Sequence, residues 1–138
     1  MIDQNLIIHF DGSCAPKNPG GIASYGFQIS DSQNNIVYSE TSEVCRGPAA
    51  TCNLAEWAGL TSAIRYLHKL GWKGTLTILG DSQLVINQLN GNWKCKKESL
   101  QQYLTEAQVL LKDMCWTAEW IPRFKNQKAD SLSRINKT

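Results

Sequence analysis

The feature that most constrains the fold of this chain is a change in the spacing of its apolar residues after residue 42. Before that point, apolar or alternating runs at 4–10, 21–30 and 34–42 are separated by turn-forming segments, which predicts a meander of three antiparallel strands. After it, helical spacing is interleaved with short apolar runs at 74–79 and 115–121. We therefore predict an α/β fold in which the last two strands join the sheet in parallel through helical crossovers.

Four helices are predicted, of which the first and third show the three- and four-residue apolar spacing of amphipathic helices. In the first of them Asn53 is a plausible N-cap, and Glu56 follows three residues later as in a capping box. Gly71 is expected to end that helix. The helices are predicted over residues 53–70, 82–89, 97–113 and 129–135.

The length and composition predict one globular domain spanning residues 1–138. No apolar run approaches the roughly 20 residues that span a bilayer, and the first ten residues lack the basic start of a signal peptide. We therefore expect a cytoplasmic protein without membrane association. The five cysteines lack CxxC spacing, so they are expected to be reduced rather than to form disulfides or a zinc site.

Charge is distributed unevenly along the chain. Up to residue 90 there are 5 basic and 7 acidic residues, whereas from residue 91 there are 9 basic and 5 acidic residues. A basic second half suits a polyanionic substrate, although a solvated surface of mixed charge explains the same counts equally well.

Four carboxylates stand where a metal-dependent nuclease would need them. Asp11 and Asp81 follow the first and fourth predicted strands, whose carboxyl ends meet at one edge of a parallel sheet. Acidic groups gathered in a cleft repel one another unless cations neutralise them, and divalent metals are the usual solution. Taken singly, each acid has a plainer explanation: Glu56 as a capping or first-turn acid, Asp81-Ser82 as an N-cap, and Asp130 as the opening of the last helix.

Four segments together resemble type 1 ribonuclease H over essentially the whole chain. Each is weakly specific alone, but their order and the elements between them are specific in combination. They read FDGSCAPKNPGG, TCNLAEWAGL, LGDSQLVINQLNG and NQKADSLSR. The resemblance implies an endonuclease that cuts the RNA strand of RNA/DNA hybrids, and a five-stranded mixed sheet of order 3-2-1-4-5 with helices on both faces.

The resemblance also implies a metal centre built by the four carboxylates. Two Mg²⁺ ions, or Mn²⁺ in their place, would be bridged by Asp11 at a separation of roughly 3.5–4 Å. One ion would activate the attacking water and the other would stabilise the leaving 3′ oxygen, which leaves 5′-phosphate and 3′-hydroxyl ends. The implied ligands, which are also the implied catalytic residues, are Asp11, Glu56, Asp81 and Asp130.

Substrate contacts follow from the same resemblance. Recognition of the RNA 2′-hydroxyl is implied for the loop after the first acid and for two amide side chains, one of which, Asn53, can also act as a helix cap. Thr51 matches a position that helps to hold a phosphate of the DNA strand, and Trp93 with its flanking lysines is expected to track that strand. The implied RNA contacts are Gly12, Ser13, Cys14, Asn18, Asn53 and Gln83, and the implied DNA contacts are Thr51, Trp93, Lys94 and Lys96.

Two departures from the family pattern place this chain with an archaeal-like subgroup. The basic, Trp-rich protrusion of many members is missing, so substrate affinity is expected to depend on Arg46 and on the lysines at 94, 96 and 97. Many members also place a histidine before the last acid, whereas this chain has Arg123 there and its histidines, His9 and His68, lie elsewhere. Because arginine is not a base at neutral pH, Arg123 is expected to attract phosphate or to assist release of product and metal.

Two other functional classes remain open at the level of sequence. One is a module that grips nucleic acid without cutting it, and the other is a different nuclease on the same fold, such as a junction resolvase or transposase core. The expected partner is an RNA/DNA hybrid, with no obligatory protein partner and a monomeric state. The expected packing residues of the core or sheet include Trp57, Trp72, Trp116 and Trp120.

Overall fold

The computed structural model describes residues 3–134 and contains one five-stranded mixed sheet. The strands lie in the order β3-β2-β1-β4-β5, so the predicted order 3-2-1-4-5 is confirmed. β1 pairs antiparallel with β2, and β2 with β3, whereas β4 is parallel to both β1 and β5. The strands are β1 (Asn5–Ala15), β2 (Ile22–Asp31), β3 (Ile36–Arg46), β4 (Thr75–Gly80) and β5 (Cys115–Trp120).

Helices cover both faces of the sheet, as predicted. The side chain of Tyr25 in β2 faces α1, whereas Ser24, its neighbour in the strand, donates to the carbonyl of Ser133 in α4. Successive residues of a strand point to opposite faces, so α1 and α4 lie on opposite sides of the sheet. The helices are α1 (Cys52–Lys69), α2 (Gln83–Leu89), α3 (Glu98–Leu110) and α4 (Gln127–Ser133), with 3-10 turns at Leu111–Asp113 and Arg123–Lys125.

The first strand is longer than the sequence predicted. β1 does not end at Phe10 but continues to Ala15, because residues 11–15 keep pairing with β2 after the parallel pairing with β4 has ended at Phe10 and Gly80. The prediction that the first strand ends at residue 10 and a turn begins at residue 11 was therefore wrong, and Asp11 lies inside a strand. Asp11 still directly follows the part of β1 that pairs with β4, and this position places it next to Asp81.

Several element boundaries also differ. α1 is capped by the hydroxyl of Thr51, which accepts from the backbone N–H of Leu54, so Asn53 is not the N-cap and Glu56 is not in a capping box. Ser82 caps α2, in agreement with the plainer explanation of the Asp81-Ser82 pair. β3 extends to Arg46, and the helix predicted over 97–113 ends at Leu110 in a 3-10 turn. The last helix begins two residues earlier than predicted and ends at Ser133, and Ile135 lies outside the described residues.

The core lies between the sheet and the helices α1, α2 and α3. Trp57 and Trp72 are buried in it, as predicted, and Trp116 packs against it partly buried. The prediction that Trp120 packs in the core or on the sheet was wrong. This residue is 44% exposed, and its indole N–H donates to the carbonyl of Asp81 at 3.0 Å. Within residues 3–134 no helix combines the length and the apolar character needed to cross a membrane.

Candidate metal centre

Three carboxylates meet at the carboxyl ends of the parallel strands. Asp11 and Asp81 follow Phe10 and Gly80, which are register partners in β1 and β4, so the two acids emerge side by side. Glu56 reaches the same place from the second turn of α1. Each of these three side chains offers an oxygen within 4.8 Å of an oxygen of both others. The sheet topology therefore assembles a cluster from residues that are 25 or more positions apart in sequence.

The close approach of α1 to β1 depends on Gly12. A Cβ atom at this position would lie 2.3 Å from the backbone nitrogen of Glu56, so no larger residue allows the helix to rest on the strand here. The backbone of Gly12 also hydrogen-bonds the Glu56 carboxylate. Gly12 was predicted to contact RNA, and the structure shows that it also sets the distance between Glu56 and Asp11.

Burial and mutual repulsion dominate the electrostatics of the cluster. Asp11 is 3% exposed, and burial, a hydrogen bond with Asp130 and the charge of Asp81 raise its pKa to about 8. Burial and the charge of Asp11 raise the pKa of Glu56 well above its usual value. Without a cation nearby, Asp11 therefore retains its proton at neutral pH, which limits the repulsion between the acids.

The donor set fits a hard divalent cation. The ligand atoms are all carboxylate oxygens, which Mg²⁺ and Mn²⁺ prefer over nitrogen or sulfur. Two of the buried oxygens, Oε2 of Glu56 and Oδ2 of Asp81, have no hydrogen-bond partner among the described residues. Buried charged oxygens without partners are costly, and a bound metal ion would satisfy them.

Asp130 lies next to this cluster but is paired differently. It is located in α4, where it shares a hydrogen bond with Asp11 and forms an ion pair with Arg134 at 3.2 Å, one helical turn away. Burial raises the pKa of Asp130, but the hydrogen bond from Asp11 and the Arg134 guanidinium outweigh it and lower the pKa overall. No role was predicted for Arg134. Its spacing of four residues from Asp130 within a predicted helix nevertheless indicates an ion pair.

We expect Arg134→Ala to strengthen divalent-metal binding about twofold to fivefold, because Arg134 and a metal ion compete for the same carboxylate. Isothermal titration of Mn²⁺ into the protein without nucleic acid measures this affinity. Arg46→Ala is the matched control, since Arg46 forms a similar exposed ion pair with Glu43, which lies outside the carboxylate cluster. Weaker Mn²⁺ binding by the Arg134 variant would show instead that the arginine holds Asp130 in place for the metal.

The end of β1, which follows the first acid, is tied to the elements around it. The Ser13 hydroxyl donates to the carbonyl of Ser133 in α4 at 2.7 Å, so the side chain of this predicted RNA contact serves the docking of α4. The Cys14 thiol donates to the carbonyl of Ala50 at 3.3 Å, and Asn18 accepts from the backbone of Cys52 at 3.3 Å. The structure thus brings the end of β1 and the turn at Asn18 against the start of α1, where the predicted contacts Thr51 and Asn53 also lie.

A second group of predicted contacts surrounds two neighbouring cavities. One cavity of about 190 Å³ lies between Asn53, Lys94 and Lys96, and another of about 240 Å³ lies between Thr51, Asn53 and Lys97. Gln88, which the sequence analysis did not single out, supports this region: it accepts from the buried indole of Trp57 and donates to the carbonyl of Lys94. The structure therefore gathers Thr51, Asn53 and the lysines into one basic surface.

The remaining predicted residues are more exposed. Trp93 is 47% exposed in the turn after α2, and Gln83 is the exposed first residue of that helix. Arg46 pairs with Glu43 at 2.8 Å instead of standing unpaired. Arg123 is exposed in the 3-10 turn before α4, and its charge contributes to the lowered pKa of Asp130.

Comparison with known proteins gives a consistent result. Residues 9–135 match the family described as "Reverse transcriptase-like". The "Uncharacterized protein YpeP" of Bacillus subtilis is 41% identical over 137 residues, which cover 95% of this chain and 58% of that protein. This chain therefore spans less than two thirds of the length of that relative.

Solved structures of high similarity include three ribonucleases H. The N-terminal RNase H domain of Rv2228c from Mycobacterium tuberculosis has a TM-score of 0.83 and 32% identity, with 93% of this chain and 89% of that chain covered. RNase H1 from Halobacterium salinarum has a TM-score of 0.81 and 29% identity, with 93% of each chain covered. LC11-RNase H1 in complex with an RNA/DNA hybrid has a TM-score of 0.82 and 25% identity, with 92% of each chain covered.

Proposed function

This chain belongs to the reverse transcriptase-like family, among the type 1 ribonucleases H, and we propose that it is an endonuclease that hydrolyses the RNA strand of RNA/DNA hybrids. The observation that carries the proposal is the cluster of Asp11, Glu56 and Asp81, with Asp130 beside it, at the edge of a ribonuclease H fold. A module that only binds nucleic acid has no need for buried acids that repel each other and the phosphates of its ligand.

The proposed chemistry is in-line hydrolysis. The oxygen of a water molecule forms a bond to the scissile phosphorus while the bond from phosphorus to the 3′ oxygen breaks, which leaves a 5′-phosphate and a 3′-hydroxyl after that oxygen takes up a proton. Two Mg²⁺ ions, for which Mn²⁺ can substitute, would supply activation of the water and stabilisation of the leaving oxygen. Asp11, Glu56, Asp81 and Asp130 would hold them, since these residues provide the oxygen ligands of the site.

The surroundings of the cluster support a preference for a hybrid. Telling RNA from DNA requires contact with the 2′-hydroxyl, and the backbone of residues 12–14 together with Asn18, Asn53 and Gln83 offers donors and acceptors for it. Thr51, Trp93, Lys94 and Lys96 would then hold the DNA strand, because Thr51 and the lysines line the basic surface next to Asn53 and Trp93 is exposed in the adjoining turn. The hybrid bound by LC11-RNase H1 supports the same substrate class.

The biological setting is part of the same proposal. We expect residues 1–138 to act as a single domain and as a monomer in the cytoplasm, without an obligatory protein partner or membrane contact. Light scattering of the purified protein, with and without a hybrid, tests the monomeric state directly.

A panel of labelled duplexes tests the function. RNA/DNA, RNA/RNA and DNA/DNA duplexes of identical sequence are incubated with Mg²⁺ and, separately, with Mn²⁺, and the products are sized and their ends identified. Cleavage confined to the RNA strand of the hybrid, with 5′-phosphate ends, is expected. Binding of the hybrid without any cleavage would instead favour a pure binding module, and cleavage of DNA/DNA duplexes would favour a resolvase-like or transposase-like nuclease.

We expect Arg123→Ala to lower the turnover number about tenfold with a smaller change in KM. The charge of the guanidinium acts on Asp130, and the same charge can attract the scissile phosphate or help product and metal to leave. Steady-state kinetics on the RNA/DNA hybrid measures both constants, and Arg123→Lys should restore part of the rate if charge is the main contribution. An unchanged turnover number in the alanine variant would exclude this role.

A further inference from the structure

The turn between β5 and α4 presents an aromatic ring flanked by cations. Phe124 is 68% exposed, more than any other large hydrophobic residue among residues 3–134, and the Lys125 ammonium lies 6.0 Å from the centre of its ring. Arg123 precedes it, and both basic residues are exposed. We refer to residues 123–125 as the basic aromatic turn.

This turn is held firmly against the carboxylate cluster. The side-chain amide of Asn126 donates to the carbonyl of Phe10 at 2.8 Å, and the backbone N–H of Ile121 donates to the carbonyl of Gly80 at 2.9 Å. Phe10 and Gly80 directly precede Asp11 and Asp81 in sequence. The exposed ring is therefore attached on both sides to the strand ends that carry the proposed metal ligands.

A cavity beside the ring is lined by polar and basic groups. Its volume is about 190 Å³, and its walls include His9, Gln28, Phe124, Lys125 and Lys128. Aromatic faces with nearby lysines are the combination that proteins use to bind single strands, because bases stack on the ring and phosphates pair with the ammonium groups. Among residues 3–134 no acidic residue lines this cavity, in contrast to the carboxylate cluster.

We propose that the basic aromatic turn binds unpaired nucleic acid that extends from the hybrid, with a base stacked on Phe124 and the phosphates next to Lys125 and Lys128. A single strand fits better than a duplex, because the bases inside a duplex are already stacked on their neighbours and leave no face for the ring. The inference rests on the proposed function for one point only, namely that the carboxylate cluster receives the hybrid from which the strand extends. It predicts that the protein binds hybrids carrying an unpaired RNA extension better than blunt hybrids.

Fluorescence anisotropy in EDTA tests this without any dependence on cleavage. The ligands are a short blunt hybrid and the same hybrid with an unpaired RNA extension of about six nucleotides at the 5′ or the 3′ end. One of the two extensions is expected to improve affinity about fivefold to tenfold. Phe124→Ala should abolish this gain, and Lys125→Gln should reduce both the gain and its dependence on salt. Val109→Ala is the matched control, because Val109 is also an exposed apolar residue (63%) but lies on α3.

The outcomes separate this inference from the proposed function. If neither extension improves binding, or if the gain persists in the Phe124 variant, the basic aromatic turn does not bind single strands. In that event cleavage of the blunt hybrid by the wild-type protein still tests the hydrolase proposal independently. Conversely, a Phe124-dependent gain in a protein that does not cleave any hybrid would retain the binding site and reject the hydrolase.

Discussion

Asp11→Asn is expected to lower cleavage of an RNA/DNA hybrid by about a thousandfold or more while leaving hybrid binding in EDTA nearly unchanged. Asp11 occupies the centre of the site, since it interacts with Glu56, Asp81 and Asp130. The amide has the same shape as the carboxylate but lacks its charge, so it is a poor ligand for a divalent ion. Because Asp11 interacts electrostatically with the three other acids, its loss should disable much of the site.

Single-turnover cleavage with Mg²⁺ measures the effect, and anisotropy in EDTA measures binding. Asp113→Asn is the control, because Asp113 is an exposed acid in the 3-10 turn after α3, before the start of β5. Residual cleavage within tenfold of the wild-type rate would mean that Asp11 is not a metal ligand.

The same variant should also change how stability depends on pH in EDTA. The native pKa of Asp11 is about 8, above its usual value of 3.8, so between these pH values the native state binds a proton that the unfolded state has released. The stability of the metal-free wild type therefore falls as the pH rises from about 4 to about 8. Asp11→Asn cannot titrate, and its melting temperature should fall less over this window. An identical pH dependence of the two proteins in thermal melts would contradict the raised pKa.

Gly26→Ala is expected to cost about 3 kcal/mol of unfolding free energy and to lower cleavage strongly. A Cβ at this position in β2 would lie 2.3 Å from the Cβ of Leu132 and 2.6 Å from the backbone of α4. Backbone atoms cannot move aside by changing a rotamer, so the helix must shift away from the sheet. Since α4 carries Asp130, any such shift displaces the fourth carboxylate from the cluster.

Urea denaturation and cleavage assays measure the two effects. Gly71→Ala is the control for backbone strain alone, because its φ is +71° and nothing lies within 4 Å of the new Cβ. Adding Leu132→Ala to the Gly26 variant should restore little, because the Cβ and backbone that cause the clash remain. A Gly26 variant as stable and active as the wild type would show that α4 does not need this contact.

The elements and their order in the sheet could be predicted from the sequence, because the local spacing of apolar residues and the topology agree. The five strands and four helices, their order in the sheet and the parallel pairing that brings Asp11 beside Asp81 all followed from apolar spacing and from the resemblance. The ends of strands and the exposure of single side chains were predicted less well, because they depend on partners that are distant in sequence. β1 continues past Asp11 because β2 offers it hydrogen bonds, and Trp120 is 44% exposed at the end of the edge strand β5, although tryptophan is a typical core residue.

The sequence by itself determined which residues have the chemistry: four acids in the four segments that resemble the family, amides and lysines near them in sequence, and glycines where backbones approach. Only the tertiary structure decided how these groups are used. It pairs Asp130 with Arg134 while Asp11, Glu56 and Asp81 remain together, and it fixes the basic aromatic turn to the strand ends. The physical reason is that charge and hydrogen-bonding capacity belong to each residue, whereas burial, competition between partners and distance arise only when remote segments pack against one another.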